Sequence, residues 1–317
     1  MAEVEAQRGE ICLRTSFFQS FNNSSELRIF LYINVWFLEY DMLPTPDTSH
    51  VPLDTIYEPS EDSFLFLDTL SSPAESAWLK ARFASPSSSP SPSPLALEVG
   101  SGSGIVLAFL TANSPLILGR ADVLALATDV NRSACIATQK TVAKAVEERQ
   151  IIRGNHTKNV QDGIPTDIQS LPLSAVTGDL CAAIRPGSVD ILLFNPPYVP
   201  TEELPVLPSV TGSEQEKGDL TRSAKFERDS YFLSLTYAGG RDGMETTDRL
   251  LEGIPGVLDP GRGVAYVLLC AQNRPEDVKR RIRDWGGGWR AETVGNSGMQ
   301  AGWEKLVIVR IWRELDS

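Results

Sequence analysis

The motif Asn195-Pro-Pro-Tyr198 directly follows an apolar run, Val189-Asp-Ile-Leu-Leu-Phe194. Two successive prolines remove backbone donors and stiffen the chain, so the motif presents the Asn195 side chain and the Pro196 carbonyl outward. An amide oxygen and a carbonyl together accept both N–H bonds of a planar NH2 group. The nitrogen of such a group has a delocalised lone pair and is a poor nucleophile. Two acceptors hold it, favour the pyramidal geometry of attack and aim it at a methyl sulfonium, with Tyr198 packed on the planar group. The competing reading is a rigid proline turn without chemistry.

A second motif, Glu98-Val-Gly-Ser-Gly-Ser-Gly104, follows a short apolar strand and leads into a helix. Its glycines, Gly100, Gly102 and Gly104, permit a tight turn whose backbone approaches a ligand closely. The spacing is Gly-x-Gly-x-Gly and not the dinucleotide Gly-x-Gly-x-x-Gly, because residue 105 is Ile. A carboxylate at Glu98 repels a pyrophosphate and attracts a cationic amino-acid group. A glycine-rich turn with no ligand is the alternative. Asp129, in Thr128-Asp-Val-Asn131, lies about 25 to 30 residues on, where such folds bind ribose hydroxyls. A helix N-cap explains it as well. Asp179, in Gly178-Asp179-Leu180, suits an adenine amino group, although alone it reads as a turn.

These motifs need strands to carry them. Strands are expected at Leu95–Val99, Val123–Thr128, Leu173–Thr177, Val189–Phe194, Gly263–Cys270 and Lys305–Trp312. Helices are expected over Ile105–Thr111, Arg132–Glu148, around Thr246–Leu251, and over Pro275–Trp285. A further helix, capped at Ser60 and led by Glu61 and Asp62, should run towards Leu70. Strands separated by helices imply βαβ units and an α/β fold with a mostly parallel sheet. Ser85–Pro94, almost pure Ser and Pro, reads as an exposed extended insertion.

With 317 residues, 42% of them apolar and 22% charged, the chain can bury a sizeable core and is neither disordered nor fibrous. Its 29 basic and 41 acidic residues leave a net charge of −12, the wrong sign for non-specific nucleic-acid binding. Cys12, Cys135, Cys181 and Cys270 form no Cys-x-x-Cys pair, and only His50 and His156 could join them, so no intrinsic metal site is expected. No signal-peptide pattern is visible, which favours reduced thiols and a cytoplasmic or also nuclear protein. Residues 1–43 form an atypical leader with an apolar run at Ile29–Leu38, shorter than the roughly 20 residues of a membrane span. It reads as an appended helix or a mispredicted upstream start, the second being preferred, with one domain over residues 44–317.

Taken together, Tyr57-Glu-Pro, Glu98–Gly104, Thr128–Asn131, Asn195-Pro-Pro-Tyr-Val199 and Ala238-Gly-Gly-Arg-Asp-Gly243 resemble the eukaryotic HemK-like glutamine methyltransferases of class 1 release factors. The likeness covers about Pro44 to Trp312. It implies a Rossmann-like class I methyltransferase with a seven-stranded sheet and helices on both faces. The implied reaction uses S-adenosylmethionine to methylate N5 of the glutamine in the release factor's Gly-Gly-Gln motif. The resemblance assigns the cofactor to Ser63, Glu98, Gly100, Gly102, Gly104, Asp129, Asp179 and Leu180, with Tyr57 in the same pocket. Asn195 would serve both cofactor and substrate, and Pro196, Pro197 and Tyr198 complete the catalytic motif.

The resemblance also implies a small zinc-binding activator subunit, and a release factor presented with its GTPase partner. The third strand should lie at a sheet edge open to strand addition by that activator, leaving the isolated chain poorly soluble. The inserts at 85–94, 161–171 and 201–231 exceed the family core. The last of these is either a substrate-facing lid or a surface loop. Adenine N6 in nucleic acid is the alternative substrate, because the motif serves any planar NH2 group, although it requires base flipping and a basic groove. Histone lysine or arsenicals suit the amide-shaped site less well. A noncatalytic scaffold would show damaged cofactor residues, and a nicotinamide dehydrogenase lacks both its glycine spacing and a Tyr-x-x-x-Lys motif.

Overall fold

Seven strands join in one sheet: β1 (Leu95–Val99), β2 (Leu124–Asp129), β3 (Leu171–Thr177), β4 (Ile191–Phe194), β5 (Val264–Cys270), β6 (Trp289–Asn296) and β7 (Leu306–Arg313). Their order is β3-β2-β1-β4-β5-β7-β6, with β7 antiparallel to both neighbours and the other pairs parallel. The computed structural model describes residues 43–83, 91–157, 169–206, 222–298 and 305–314. The chain divides into Met1–Pro44 and Thr45–Ser317, and the architecture here is that of the second unit. The apolar leader run, most of the Ser/Pro insertion and Glu214-Gln-Glu-Lys lie outside the described residues.

Helices α1 (Glu61–Ser71), α2 (Pro73–Phe83), α3 (Ile105–Ala112), α4 (Ser114–Ile117), α5 (Arg132–Thr157), α6 (Arg222–Leu235), α7 (Glu245–Val257) and α8 (Pro275–Arg283) complete the layers. Every residue of β4 and β5 is buried, as continuous apolar runs demand when helices cover both faces. Leu250, Leu251 and Ile254 of α7 and Ile282 of α8 pack with Leu192, Phe194, Val267 and Val309 of the sheet. Burying each such side chain contributes about 1.5–3 kcal/mol. On α2, Glu75 accepts two bonds from Arg310 of β7, at 3.0 and 2.8 Å, and one from the Tyr266 hydroxyl of β5.

The chain runs outward from β1 through β2 to β3, then returns to place β4 and β5 on the other side of β1. A ligand crevice forms at such a reversal, beyond the carboxyl ends of the strands. Register keeps those ends level, because Val99 pairs with both Thr128 and Phe194.

Several elements differ from the sequence expectation, the short α4 among them. Helix α2 buries Glu75, Ser76, Leu79 and Phe83 on one face, a stripe too polar to stand out in sequence. Within the expected insert at 201–231, Arg222 starts α6, a regular helix. Strand β6 is polar and fully buries only Ala291, so pairing with β7, not apolar alternation, makes it a strand. The Ser/Pro tract is anchored at its described end, where Arg120 donates to Ser91 Oγ at 2.6 Å and Arg262 to the Pro92 carbonyl at 3.1 Å. No helix among the described residues is long and apolar enough to cross a membrane.

Candidate active site

A cavity of about 290 Å3 lies beyond the level ends of β1, β2 and β4. It is lined by Tyr57, Ser63, Glu98, Gly100, Gly102, Asp129, Asp179, Leu180, Asn195, Pro196 and Pro197. Gly104 and Tyr198 are not among its lining residues.

Gly100 and Gly102 take left-handed backbone angles, φ +61° and +52°, which turn the chain over the end of the sheet. Gly104, at φ +75°, is required for packing: a Cβ there would lie 2.7 Å from Thr138 Cα, so glycine lets α3 sit on α5. Glu98 is buried, and its Oε2 accepts the Leu107 N–H in the first turn of α3 at 3.1 Å. Burial pushes its carboxyl up to about 8, nearby Asp129 adds to the rise, and the Leu107 donor opposes it.

Asp129 is also raised by burial, against donors on both of its oxygens. Gly102 N–H donates to Oδ2 at 2.9 Å and Asn131 N–H to Oδ1 at 2.8 Å. The first turn of α5 is capped by Asn131, whose Oδ1 accepts the Ser133 N–H at 2.9 Å. The N-cap role open to Asp129 in sequence therefore belongs to Asn131. Asn131 Nδ2 also donates to the Thr55 carbonyl at 2.9 Å, tying down the chain that leads to Tyr57. On the far side, Asp179 accepts a hydrogen bond from Arg249 of α7, and Leu180 adopts a left-handed φ of 49°.

The loop after β4 is set by a partner remote in sequence. Asn195 Nδ2 donates to Asp62 Oδ2 at 3.1 Å across 133 residues. Because a carboxylate oxygen accepts, this bond orients the amide: nitrogen towards Asp62, oxygen the other way. Asn195 Oδ1 is buried without a partner among the described residues. Asp62 is itself held, its Oδ1 accepting the Ser63 N–H at 2.6 Å and the Ser60 hydroxyl at 3.1 Å. Ser60 stands at the N-cap position of α1 without a side-chain cap bond, so the expected serine cap is replaced by Asp62.

Sequence reasoning passed over Asp62 as a helix-start acid, and missed Arg249 and the wall formed by Leu204, Pro205, Phe232, Leu235 and Thr236. Leu204 and Pro205 come from the first described end of the 201–231 insert, and Phe232, Leu235 and Thr236 from the chain just beyond it. Only the pairing of Ser60-Glu-Asp-Ser63 with Tyr57 in one motif hinted at Asp62.

In chemical terms the cavity offers two buried carboxyls at the ends of β1 and β2, a glycine turn, and a fixed, unpartnered amide oxygen after β4. Glu98 suits a cationic amine and Asp129 a diol. This set fits S-adenosylmethionine with a planar amide beside it.

No protein-family model matches the chain. It is 30% identical over 278 residues to "eRF1 methyltransferase catalytic subunit mtq2" of Schizosaccharomyces pombe, an alignment covering 86% of this chain and 96% of that protein. It is 30% identical over 277 residues to "Methyltransferase HEMK2" of Mus musculus, covering 84% and 96%. A solved structure, a human methyltransferase 10 domain-containing protein, aligns over 93% of this chain and all of its own at 13% identity and a TM-score of 0.41. Near full-length likeness to these curated relatives joins the motifs and the strand order in one conclusion: the chain belongs to the eukaryotic HemK-like release factor glutamine methyltransferases.

Proposed function

We propose that this chain methylates N5 of the glutamine side chain in the Gly-Gly-Gln motif of a eukaryotic class 1 release factor. The observation that carries the reading is the buried, unpartnered Asn195 Oδ1, oriented by Asp62. S-adenosylmethionine supplies the electrophilic methyl group. Asn195 Oδ1 and the Pro196 carbonyl accept the two N–H bonds of the substrate amide, holding its nitrogen in line for attack. Asp62 keeps the Asn195 oxygen available. Glu98 holds the cofactor's amine, Asp129 its ribose, and Asp179 with Leu180 its adenine. Methylation would break the cofactor's C–S bond, release the neutral thioether and cost the amide nitrogen one N–H proton, which passes to solvent after transfer. No side chain serves as a strong base, so positioning and exclusion of water carry the rate.

Two partners complete the proposal. Strand β3 ends the sheet with Leu171 and Leu173 exposed, an edge that suits strand addition by the small zinc-binding activator. The release factor, carried by its GTPase, is the second. The substrate supports a cytoplasmic setting.

The test is methyl transfer from labelled S-adenosylmethionine by the chain coexpressed with the activator. The acceptors are the release factor, its glutamine-to-alanine mutant, and single- and double-stranded DNA. Label on the wild-type factor alone, lost in Asn195→Ala, is the expected result. Label on DNA would overturn the reading in favour of adenine N6, which the net charge of −12 disfavours.

A further inference from the structure

The turn Ala238–Gly243 packs directly on the backbone of the Asn-Pro-Pro-Tyr loop. A Cβ on Gly239 would lie 2.3 Å from the Pro197 carbonyl oxygen, and one on Gly243 2.0 Å from that of Tyr198. Three backbone bonds join the chain after the loop to the turn: Val199 N–H to the Tyr237 carbonyl at 2.9 Å, Gly239 N–H to the Val199 carbonyl at 2.8 Å, and Thr201 N–H to the Gly240 carbonyl at 3.0 Å. Behind both lies Asn273, just past the end of β5 and 3% exposed. Its Nδ2 donates to the carbonyls of Tyr198 at 3.1 Å, Asp242 at 3.0 Å and Gly243 at 3.4 Å, while its Oδ1 accepts the Cys270 N–H at 2.8 Å.

The neighbouring backbone is held in an unusual state. Asp242 and Arg274, residues with side chains, sit in the left-handed region at φ 57° and 53°. Such angles persist only where the surroundings over-determine them, and here they lie beside an amide that donates to three carbonyls. The same arrangement turns the Tyr198 carbonyl towards Asn273. Among the described residues no donor bonds the Pro196 carbonyl. The clamp thus engages the loop three residues beyond Asn195 and leaves its proposed acceptors open.

We infer that Asn273 is a positioning residue for methyl transfer, setting the aim of Asn195 and Pro196 by holding the Tyr198 carbonyl against the Ala238–Gly243 turn. The inference rests on the reading of Asn195 as the substrate-amide acceptor. It also gives the Gly-Gly-Arg-Asp-Gly motif a physical role, since its glycines let a second backbone lie against the catalytic loop.

Asn273→Asp keeps the shape and the acceptor for Cys270 N–H, but replaces the donor with an oxygen facing three carbonyls. In the full chain coexpressed with the activator, we expect kcat on the release factor to fall on the order of thirtyfold. The cofactor dissociation constant should change less than about threefold, because the hydrogen bonds of Asn273 go to Tyr198, Asp242, Gly243 and Cys270 and to none of the residues proposed to hold the cofactor. Amide exchange at Val199 and Gly239 should accelerate about tenfold or more, with the central strands unaffected. Asn273→Ser adds no charge beside the carbonyls and serves if the Asp variant does not fold; its kcat should fall about tenfold with cofactor affinity retained. Wild-type kcat in either folded variant overturns the inference, as does parallel loss of kcat and cofactor affinity, the mark of a purely structural role. If the wild-type chain itself does not methylate the release factor, the proposed function falls and exchange decides alone. Unchanged exchange at Val199 and Gly239 then overturns the clamp, and faster exchange upholds it.

Discussion

The loops after β1 and β2 and the loop after β4 face the same cavity, yet they treat their polar groups in opposite ways. At β1 and β2, Glu98 and Asp129 are buried and already accept backbone N–H bonds from Leu107, Gly102 and Asn131. They stabilise the turns that hold them, and burial keeps their carboxyls easy to protonate. At β4, Asn195 has its nitrogen committed to Asp62 and its oxygen left without a partner. An unpaired buried acceptor costs about 1–3 kcal/mol, a cost retained where a ligand donor is to arrive. One side of the cavity is organised around charge, the other around a single reserved hydrogen bond.

Removing the reserved acceptor should do the most damage. Asn195→Ala is expected to lower methyl transfer at least about a hundredfold while the thermal midpoint stays near wild type, read by turnover and calorimetry. Releasing it from its anchor is next. Asp62→Ala should cost about tenfold to thirtyfold in kcat, since the Asn195 amide can then rotate, and should also lower stability because Ser63 N–H loses its acceptor.

The charged side is sharpened by pH. Protonated Glu98 cannot pair with the cofactor's amine, so affinity should rise about tenfold per pH unit on the approach to about 8, and Glu98→Gln should flatten that dependence in titration calorimetry. Without cofactor the sign reverses. The folded carboxyl lies above its ordinary 4.5, so its stabilising contribution is complete below that value and is lost as pH rises through about 8. Denaturant melts of wild type and Glu98→Gln should therefore diverge across that window. Gly104→Ala should have the smallest catalytic effect. It forces Cβ against Thr138 Cα at 2.7 Å, and is expected to lower stability by about 1–3 kcal/mol while leaving the kcat of the folded fraction near wild type.

Much of the charged side was legible in sequence because it is local. Strand, glycine turn and helix follow one another within Leu95–Ala112, and the buried strands announce themselves as apolar runs. Polar β6 and α2 gave weak signals, since each owes its state to what it packs on: β6 to β7, α2 to a buried Glu75–Arg310 pair. The reserved side was half legible. Asn-Pro-Pro-Tyr marked the acceptor, but neither Asp62 nor Asn273 carries a local sign of what it holds.

The sequence by itself determined the strand-and-turn order, the acids at the ends of β1 and β2, and the amide after β4, because backbone stiffness and apolar patterning act over a few residues. Only the tertiary structure decided which way that amide faces. Docking α1 across the strand ends brings Asp62 to Asn195 over 133 residues of chain, and folding the end of β5 under the Ala238–Gly243 turn brings Asn273 to Tyr198. A hydrogen bond depends on distances of tenths of an ångström, and those are set by packing between elements, not by spacing along the chain.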